Sequence, residues 1–245
     1  MNRDMRNHSL THHLALWFIV VALLPLLLFG YLSLRQNEAA LRVEMQARMS
    51  RLADKKAMEI KVYLAERAQD VQILARGLLA EQAMDALSRA YLQHRPGSAG
   101  YQRADRQFRS RFSAYIDESA LFYDVFLITP QGEIIYTDKH EADFATNLLD
   151  GPYRDSQLAK AFRESSLTFE SSFSSFGSYA PSGVPAAFVA APIIRNGVFR
   201  GVIAFQLSTE NIYRVAMENS GLGTTGETLL ARLTDSGEAE FAAPL

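Results

Sequence analysis

The chain has 245 residues, with 25 basic and 27 acidic side chains and a net charge of −2 at pH 7. That balance gives no electrostatic footprint for nucleic acid. The absence of cysteine excludes disulfide frameworks, thiolate zinc sites and cysteine nucleophiles.

The first element is an apolar run from Leu14 to Leu34 that carries no charged side chain. At about 1.5 Å per residue a helix of this length crosses roughly 30 Å of hydrocarbon. Trp17 and Tyr31 lie near its ends, where amphipathic rings sit at headgroup level. Pro25 is tolerated in such a helix. A cleaved signal peptide would have a shorter apolar stretch and a small-residue cleavage site after it, so the run reads as an uncleaved anchor. Arg3 and Arg6 precede it, and Arg35, Arg42, Arg48 and Arg51 follow. Charge counting alone would place the second flank inside, but long domains translocate largely regardless of charge. The tail, residues 1–13, is therefore assigned to the cytoplasm, residues 14–34 to the membrane, and everything after them to the outside.

No glycine or proline occurs between Gly30 and Gly77, and helix formers dominate the gap. Leu41, Met45, Leu52, Ile60, Leu64, Val71, Leu74 and Leu78 recur at spacings that keep one apolar stripe on a helix. A stalk helix over residues 35–95 is predicted. Its stripe needs a cover, either the following domain or a second copy in a coiled coil. The latter makes a homodimer through the stalk the expected assembly.

Arg95-Pro-Gly-Ser-Ala-Gly100 breaks the helix. An amphipathic helix from about Ala104 to Ser119 follows, with Phe108, Phe112, Tyr115 and Ile116 on one side. Leu121 to Thr129 reads as a strand, Pro130-Gln131-Gly132 as a turn, and Glu133 to Thr137 as the returning strand. Asp155 is the predicted N-cap of a short helix ending near Ser165. A third strand is predicted over Leu167–Phe173, then a loop from Ser174 to Pro185. Ala186–Ile194 and Val198–Leu207 are strands joined through Arg195-Asn196-Gly197, a strong hairpin signal. Ser208 or Thr209 caps a further helix that stops at Gly221, and the last segment begins another glycine-rich turn and strand. About five antiparallel strands with helices on one side make an α+β domain.

Several segments, in this order, resemble the extracytoplasmic double-Cache sensor region of bacterial transmembrane signalling proteins. They are the anchor with its long helix, Ile128-Thr-Pro-Gln-Gly-Glu-Ile-Ile-Tyr-Thr137 as first hairpin, and Asp155-Ser-Gln-Leu-Ala159 as mid-domain helix. Tyr179-Ala-Pro-Ser-Gly-Val-Pro-Ala-Ala-Phe-Val-Ala-Ala-Pro192 with Gly201-Val-Ile-Ala-Phe-Gln-Leu207 is similar to the last hairpin. Gly221-Leu-Gly-Thr-Thr-Gly-Glu227 is similar to the link between the two subdomains. The resemblance implies a PAS-like, membrane-distal sensor domain over residues 104–220 and an incomplete start of a membrane-proximal subdomain over 221–245. The chain then reads as the N-terminal part of a longer receptor in the bacterial inner membrane, with a periplasmic sensor. A sensor histidine kinase is the favoured whole; a chemoreceptor, a diguanylate cyclase input region or a stand-alone anchored binding protein are the alternatives.

Catalytic patterns are missing from the sequence: there is no P-loop, no His-Glu-x-x-His and no Gly-x-Ser-x-Gly. His8 and His12 stand four apart but lie in the short tail with no carboxylate cluster, and read as solvated flanking residues. Gly221-Leu-Gly-Thr-Thr-Gly226 has dinucleotide-fingerprint spacing but follows a helix rather than a strand, so it reads as a helix stop. No metal or cofactor is expected.

Binding remains. The resemblance implies a pocket between the sheet face and its covering loops and helix. Tyr136 and Asp138 at the end of the second strand, Tyr153 and Arg154 before the helix, Tyr179 in the loop, and Phe188 and Gln206 on the last hairpin are the candidate ligand residues. Ala186, Ala187, Ala190 and Ala191 leave volume above the sheet. The amino-acid-binding members carry Arg-x-Trp-Tyr before the mid-domain helix. The corresponding Tyr153-Arg-Asp-Ser156 departs from it and argues against an ordinary α-amino acid. A small polar or anionic metabolite is expected, with Arg154 beside a helix N-terminus as its charge partner and Tyr179 covering it.

Overall fold

The structure is a computed structural model that describes residues 5–94, 96–119, 121–208, 210, 214, 231–233 and 239–241. The chain divides into two units, Met1–Lys55 and Lys56–Leu245. In the first, helix α1 (Met5–Arg76) carries the apolar run. Every large apolar side chain from Leu14 to Leu34 is exposed, as a lipid-facing surface requires. Among the described residues this is the one helix long and apolar enough to cross a membrane.

The second unit is built on a five-stranded antiparallel sheet of order β2-β1-β7-β6-β3. The strands are β1 (Phe122–Ile128), β2 (Ile134–Thr137), β3 (Ser172–Phe173), β6 (Phe188–Arg195) and β7 (Val198–Leu207). The α+β class is as expected, but helices cover both faces. On one face lie the end of α1, α2 (Leu78–Gln93) and α3 (Ala99–Ser119), whose Val71, Met84, Leu87, Phe108, Phe112 and Ile116 pack on Val125, Leu127, Val189, Ile203 and Phe205. On the other lies α4 (Gln157–Thr168), with Leu158, Ala159 and Phe162 against Phe126, Ile128, Phe188, Ala190 and Ala204. Alternation along each strand feeds both cores, so both faces are apolar.

The predicted single stalk helix is divided. Gly77 is extended (φ −75°, ψ 154°) between α1 and α2. A side chain there would meet the carbonyl oxygen of Leu74 at 3.1 Å. The domain itself covers part of the stripe: Leu64, Val71 and Leu74 join the core, while Leu41 and Met45 in the first unit are exposed. The mid-domain helix is capped by Ser156 rather than Asp155, its hydroxyl accepting from the Ala159 amide at 3.1 Å. It runs to Thr168, so the start of the predicted third strand is helix. Leu167 is 80% exposed there, and Phe169 ends the helix at φ 55°. Only Ser172–Phe173 pair with β6.

The Ser174–Pro185 loop contains a small hairpin, β4 (Gly177–Tyr179) and β5 (Val184–Ala186). Asn196 and Gly197 turn at φ 49° and 75°, the left-handed pair a tight hairpin needs. The predicted helix after Ser208 lies, apart from Glu210 and Arg214, outside the described residues. Beyond it a two-stranded antiparallel pair is described, β8 (Ala231–Leu233) with β9 (Ala239–Phe241).

Candidate ligand-binding site

Three strands supply the floor. Asp124 of β1 pairs with Gln206 of β7, which pairs with Phe188 of β6. Phe188 belongs to the core on the α4 side, so this cross-strand row faces α4 and the β4–β5 hairpin. The next row is Phe126, Ala204 and Ala190 on the same face. Over this floor Tyr179 packs its ring on Phe188, with centroids 4.8 Å apart.

Asp124 is fully buried. Its Oδ1 accepts from the amides of Val125 (2.7 Å), Asp138 (2.8 Å) and Lys139 (3.2 Å). Its Oδ2 is buried without a partner. Asp143, also fully buried, accepts the Tyr179 hydroxyl on Oδ2 at 2.5 Å and leaves Oδ1 unpartnered. Glu141 accepts the Tyr123 hydroxyl on Oε1 at 2.7 Å and leaves Oε2 unpartnered. Gln206 donates from Nε2 to the Ser182 hydroxyl at 3.2 Å and leaves Oε1 unpartnered. These four orphan atoms are all acceptors, and three are carboxylate oxygens.

The electrostatics follow from this crowding. Burial pushes the Asp124 carboxyl up to about 7, against the three amide bonds that favour its charge, and the Asp143 charge pushes the same way as burial. Burial also raises Asp143; the Tyr179 hydroxyl opposes that shift and Glu141 adds to it. Tyr179 is held far above the usual phenol range by burial first and by Asp143 next. The bond to Glu141, followed by burial, takes Tyr123 to about 12. The arrangement can therefore hold a group that brings hydrogen-bond donors and positive charge. Among the described residues no cluster of His, Asp and Glu is arranged to hold a metal ion.

Of the predicted site residues, Tyr179, Phe188 and Gln206 come together here. Tyr153 stands at the edge, half-buried, its ring 6.3 Å from that of Tyr179. Tyr136 and Asp138 do not join them. The β1–β2 register runs Leu127↔Tyr136 and then Ile128↔Ile134, which leaves Ile135 as a bulge. The bulge turns Tyr136 to the α3 side, where its ring lies 5.3 Å from that of Phe112. Asp138 follows it, accepting the Ser113 hydroxyl at 2.6 Å. Strand parity also divides the alanines: Ala186 and Ala190 face α4, Ala187 and Ala191 face α3.

Arg154 lies in solvent. Its side chain is 60% exposed beside the Asp155 carboxylate at 3.5 Å, and its carbonyl accepts from Arg163. Arg154→Ala is expected to change stability by no more than about 0.5 kcal/mol and to leave ligand-induced thermal shifts intact. Loss of such a shift in this variant would restore Arg154 to the site.

Sequence reasoning missed Asp124, Glu141, Asp143, Tyr123 and Ser182. Asp124 did carry a signal, as a carboxylate inside the otherwise apolar strand Phe-Tyr-Asp-Val-Phe. Glu141 and Asp143 follow the β2 strand in an irregular segment with no periodicity to mark them.

No protein-family model matches the chain, and no curated protein matches it. Solved structures do. The sensor domain of the V. cholerae histidine kinase DctB superposes with a TM-score of 0.51 at 19% identity, over 72% of this chain and 59% of that one. Two further domains superpose less closely. The ligand-binding domain of the Pseudomonas fluorescens chemoreceptor CtaA, in complex with L-serine, gives 0.49 at 14% identity, over 76% of this chain and 66% of that one. The ligand-binding domain of the Pseudomonas aeruginosa PAO1 amino-acid chemoreceptor PctC, in complex with GABA, gives 0.46 at 17%, over 78% and 72%. The chain spans about three fifths of the DctB sensor domain that it matches. Its fold is that of this sensor domain, as the Cache resemblance implied.

Proposed function

We propose that the second unit senses a small organic ligand with a cationic, donor-rich head group, bound between Asp124, Glu141, Asp143, Gln206, Tyr179 and Phe188. The observation that carries this reading is the set of buried carboxylate oxygens without donors. Each such group costs free energy until a donor reaches it. An ammonium group supplies two or three N–H donors and a compensating charge. An anion would meet three carboxylates, with the Lys139 ammonium already over the Tyr123 ring at 5.6 Å, so the anionic metabolite expected from the sequence is the poorer fit. Tyr153 and Tyr179 would close over the ligand's apolar part.

The sensor fold supports a signalling role, and the apolar segment of α1 supports a place in the bacterial inner membrane with the domain in the periplasm. The whole receptor is proposed to be a sensor histidine kinase, with chemoreceptor and cyclase as the alternative outputs. A homodimer along the exposed Leu41 and Met45 is proposed as its assembly.

Thermal unfolding of the full chain in detergent, with ethanolamine, putrescine, tyramine, succinate and malate in turn, tests the head-group chemistry. At least one amine is expected to stabilise at pH 8, by about 2.7 kcal/mol at a hundredfold excess over Kd. The response is expected to weaken at pH 5.5, where Asp124, titrating at about 7, is mostly protonated and up to about thirtyfold less ionised. Stabilisation by the dicarboxylates and by none of the amines would overturn the proposal.

A further inference from the structure

Asp138 uses each of its polar groups, and they point to different parts of the domain. Its amide donates to Asp124 Oδ1 at 2.8 Å, on the ligand side of the sheet. Its carboxylate Oδ1 accepts the Ser113 hydroxyl of α3 at 2.6 Å and the Tyr136 hydroxyl at 3.3 Å, on the opposite side. Its carbonyl accepts from Arg109 Nη1 of α3 at 2.6 Å. Arg109 is itself fixed by a two-pronged bond to Asp105, both contacts 2.9 Å, by the Tyr136 ring at 5.5 Å, and by the His140 ring at 2.7 Å. His140 sits at φ 53°, a left-handed conformation unusual for a residue with a side chain. The segment from Asp138 to Asp143 thus begins in the grip of α3 and carries Glu141 and Asp143 into the ligand cluster. Tyr101 of α3 holds the bulge before it, donating to the Ile135 carbonyl at 2.7 Å.

We infer that Asp138 is the positioning residue that couples the acceptor cluster to helix α3, so that occupancy of the cluster and the placement of α3 are set together. The inference rests on the cluster being the ligand site. The physical route is short. A cation holding Asp124 in its charged form tightens the amide bond from Asp138, and that residue's carboxylate and carbonyl carry the displacement to Ser113 and Arg109. Phe108, Phe112 and Ile116 on the same helix share their core with Val71 and Ala75 of α1, so α3 does not move alone. The coupling needs no contact between ligand and helix, only a differential free energy at each end of one residue.

Coupling is reciprocal: a change at α3 must alter the Asp124 carboxyl even when no ligand is present. The full chain, labelled with ¹³C at the aspartate carboxyl carbons and held in detergent, allows Asp124 to be titrated directly, with Asp124→Asn identifying its signal. Ser113→Ala removes an uncharged hydroxyl from the far side of the sheet, so it has no direct electrostatic effect on Asp124. Asp143, Glu141 and Lys139, with Tyr123 and Tyr179, surround Asp124 and are the same in the variant.

With Ser113 truncated, Asp138 is held less firmly against Oδ1. The Asp124 midpoint is expected to rise by a three- to tenfold change in proton affinity. Ser113→Thr is expected to restore it, and Tyr136→Phe, which removes the other hydroxyl on the same oxygen, to shift it in the same direction as Ser113→Ala. A midpoint unchanged within a factor of 1.5 in Ser113→Ala, or equally shifted in Ser113→Thr, would overturn the coupling. The measurement uses no ligand. A chain that binds no amine yet shows these shifts would keep the coupling and lose the ligand proposal.

Discussion

Asp124→Asn is expected to make the chain more stable at pH 8 and to abolish its response to amines. Burial raises the Asp124 carboxyl from 3.8 to about 7 in the folded chain. Below the lower value the group is protonated whether folded or not, and its contribution to stability is fully present. As pH climbs toward and past 7, the unfolded chain ionises freely while the folded one resists, and that stability is lost. A difference of about 3 units corresponds to on the order of 4 kcal/mol lost by pH 8.

Asparagine has no charge to desolvate, yet its side-chain oxygen still accepts the amides that Oδ1 holds from Val125, Asp138 and Lys139. Thermal unfolding of the two chains between pH 4 and pH 8.5 should show the wild type falling and the variant staying nearly level, with the gap closing toward pH 4. Parallel profiles would contradict the assignment of a strained buried carboxylate. Asp124→Ala separates charge from hydrogen bonding: it removes the carboxylate acceptor from the three amides, leaving Asp138 only the Val125 carbonyl at 3.3 Å, and is expected to destabilise at every pH, by about 1–3 kcal/mol for each buried donor left unpaired. A residue that lowers stability in the unliganded state and is needed for binding marks a site shaped for function.

How much of this was legible beforehand depended on whether the signal was local. The Leu14–Leu34 run, the Asn196-Gly197 turn and the Phe108, Phe112 and Ile116 stripe are decided by neighbours within a few residues, and each appears where its pattern put it. The two bulges are not local. The shift between Phe122 and Asp124 against β7, and that between Leu127 and Ile128 against β2, are properties of paired strands. A single extra residue exchanges the faces of everything beyond it. Simple alternation from the sequence therefore does not anticipate that Tyr136 packs on the α3 side.

The resemblance implies Tyr179 and Gln206 at the sheet, and the structure has them there, bonded to Asp143 and Ser182. The carboxylates they meet come from β1 and from the segment after β2, and only the folded chain brings these together. Arg154 was singled out for its place beside a helix N-terminus. That geometry attracts an anion, but it does not bury the guanidinium, which is 60% exposed beside Asp155.

Gly201→Ala is expected to produce the largest loss of stability of any methyl addition in the sheet, while leaving amine binding measurable at low temperature. Gly201 has φ 139°, outside the range that side-chain-bearing residues adopt. A Cβ built there would stand 2.3 Å from the Ile128 carbonyl oxygen and 2.8 Å from Met84 Cε. Met84 can swing away; the oxygen belongs to β1, whose Ile128 pairs with Val202, and cannot move without opening the ladder. Strain of about 1–3 kcal/mol for the backbone, with the steric contact added, gives a loss of about 3 kcal/mol or more.

For a domain of this size that is a fall in Tm of roughly 6–12 °C. Gly197→Ala is the control: its φ of 75° is also left-handed, but no atom lies within 4 Å of the added carbon. A cost near 1 kcal/mol is expected there from conformation alone. Equal losses in the two variants would mean that φ, and not the approach of β1, decides the cost. Gly201 and Gln206 are separated by five residues along β7, roughly 17 Å at the rise of an extended strand. Gly201→Ala should therefore weaken the sheet at the end remote from the carboxylates. Asp124→Asn should do the reverse, strengthening the fold and silencing the site, and that opposition is what a ligand site at one end of a twin-cored sheet requires.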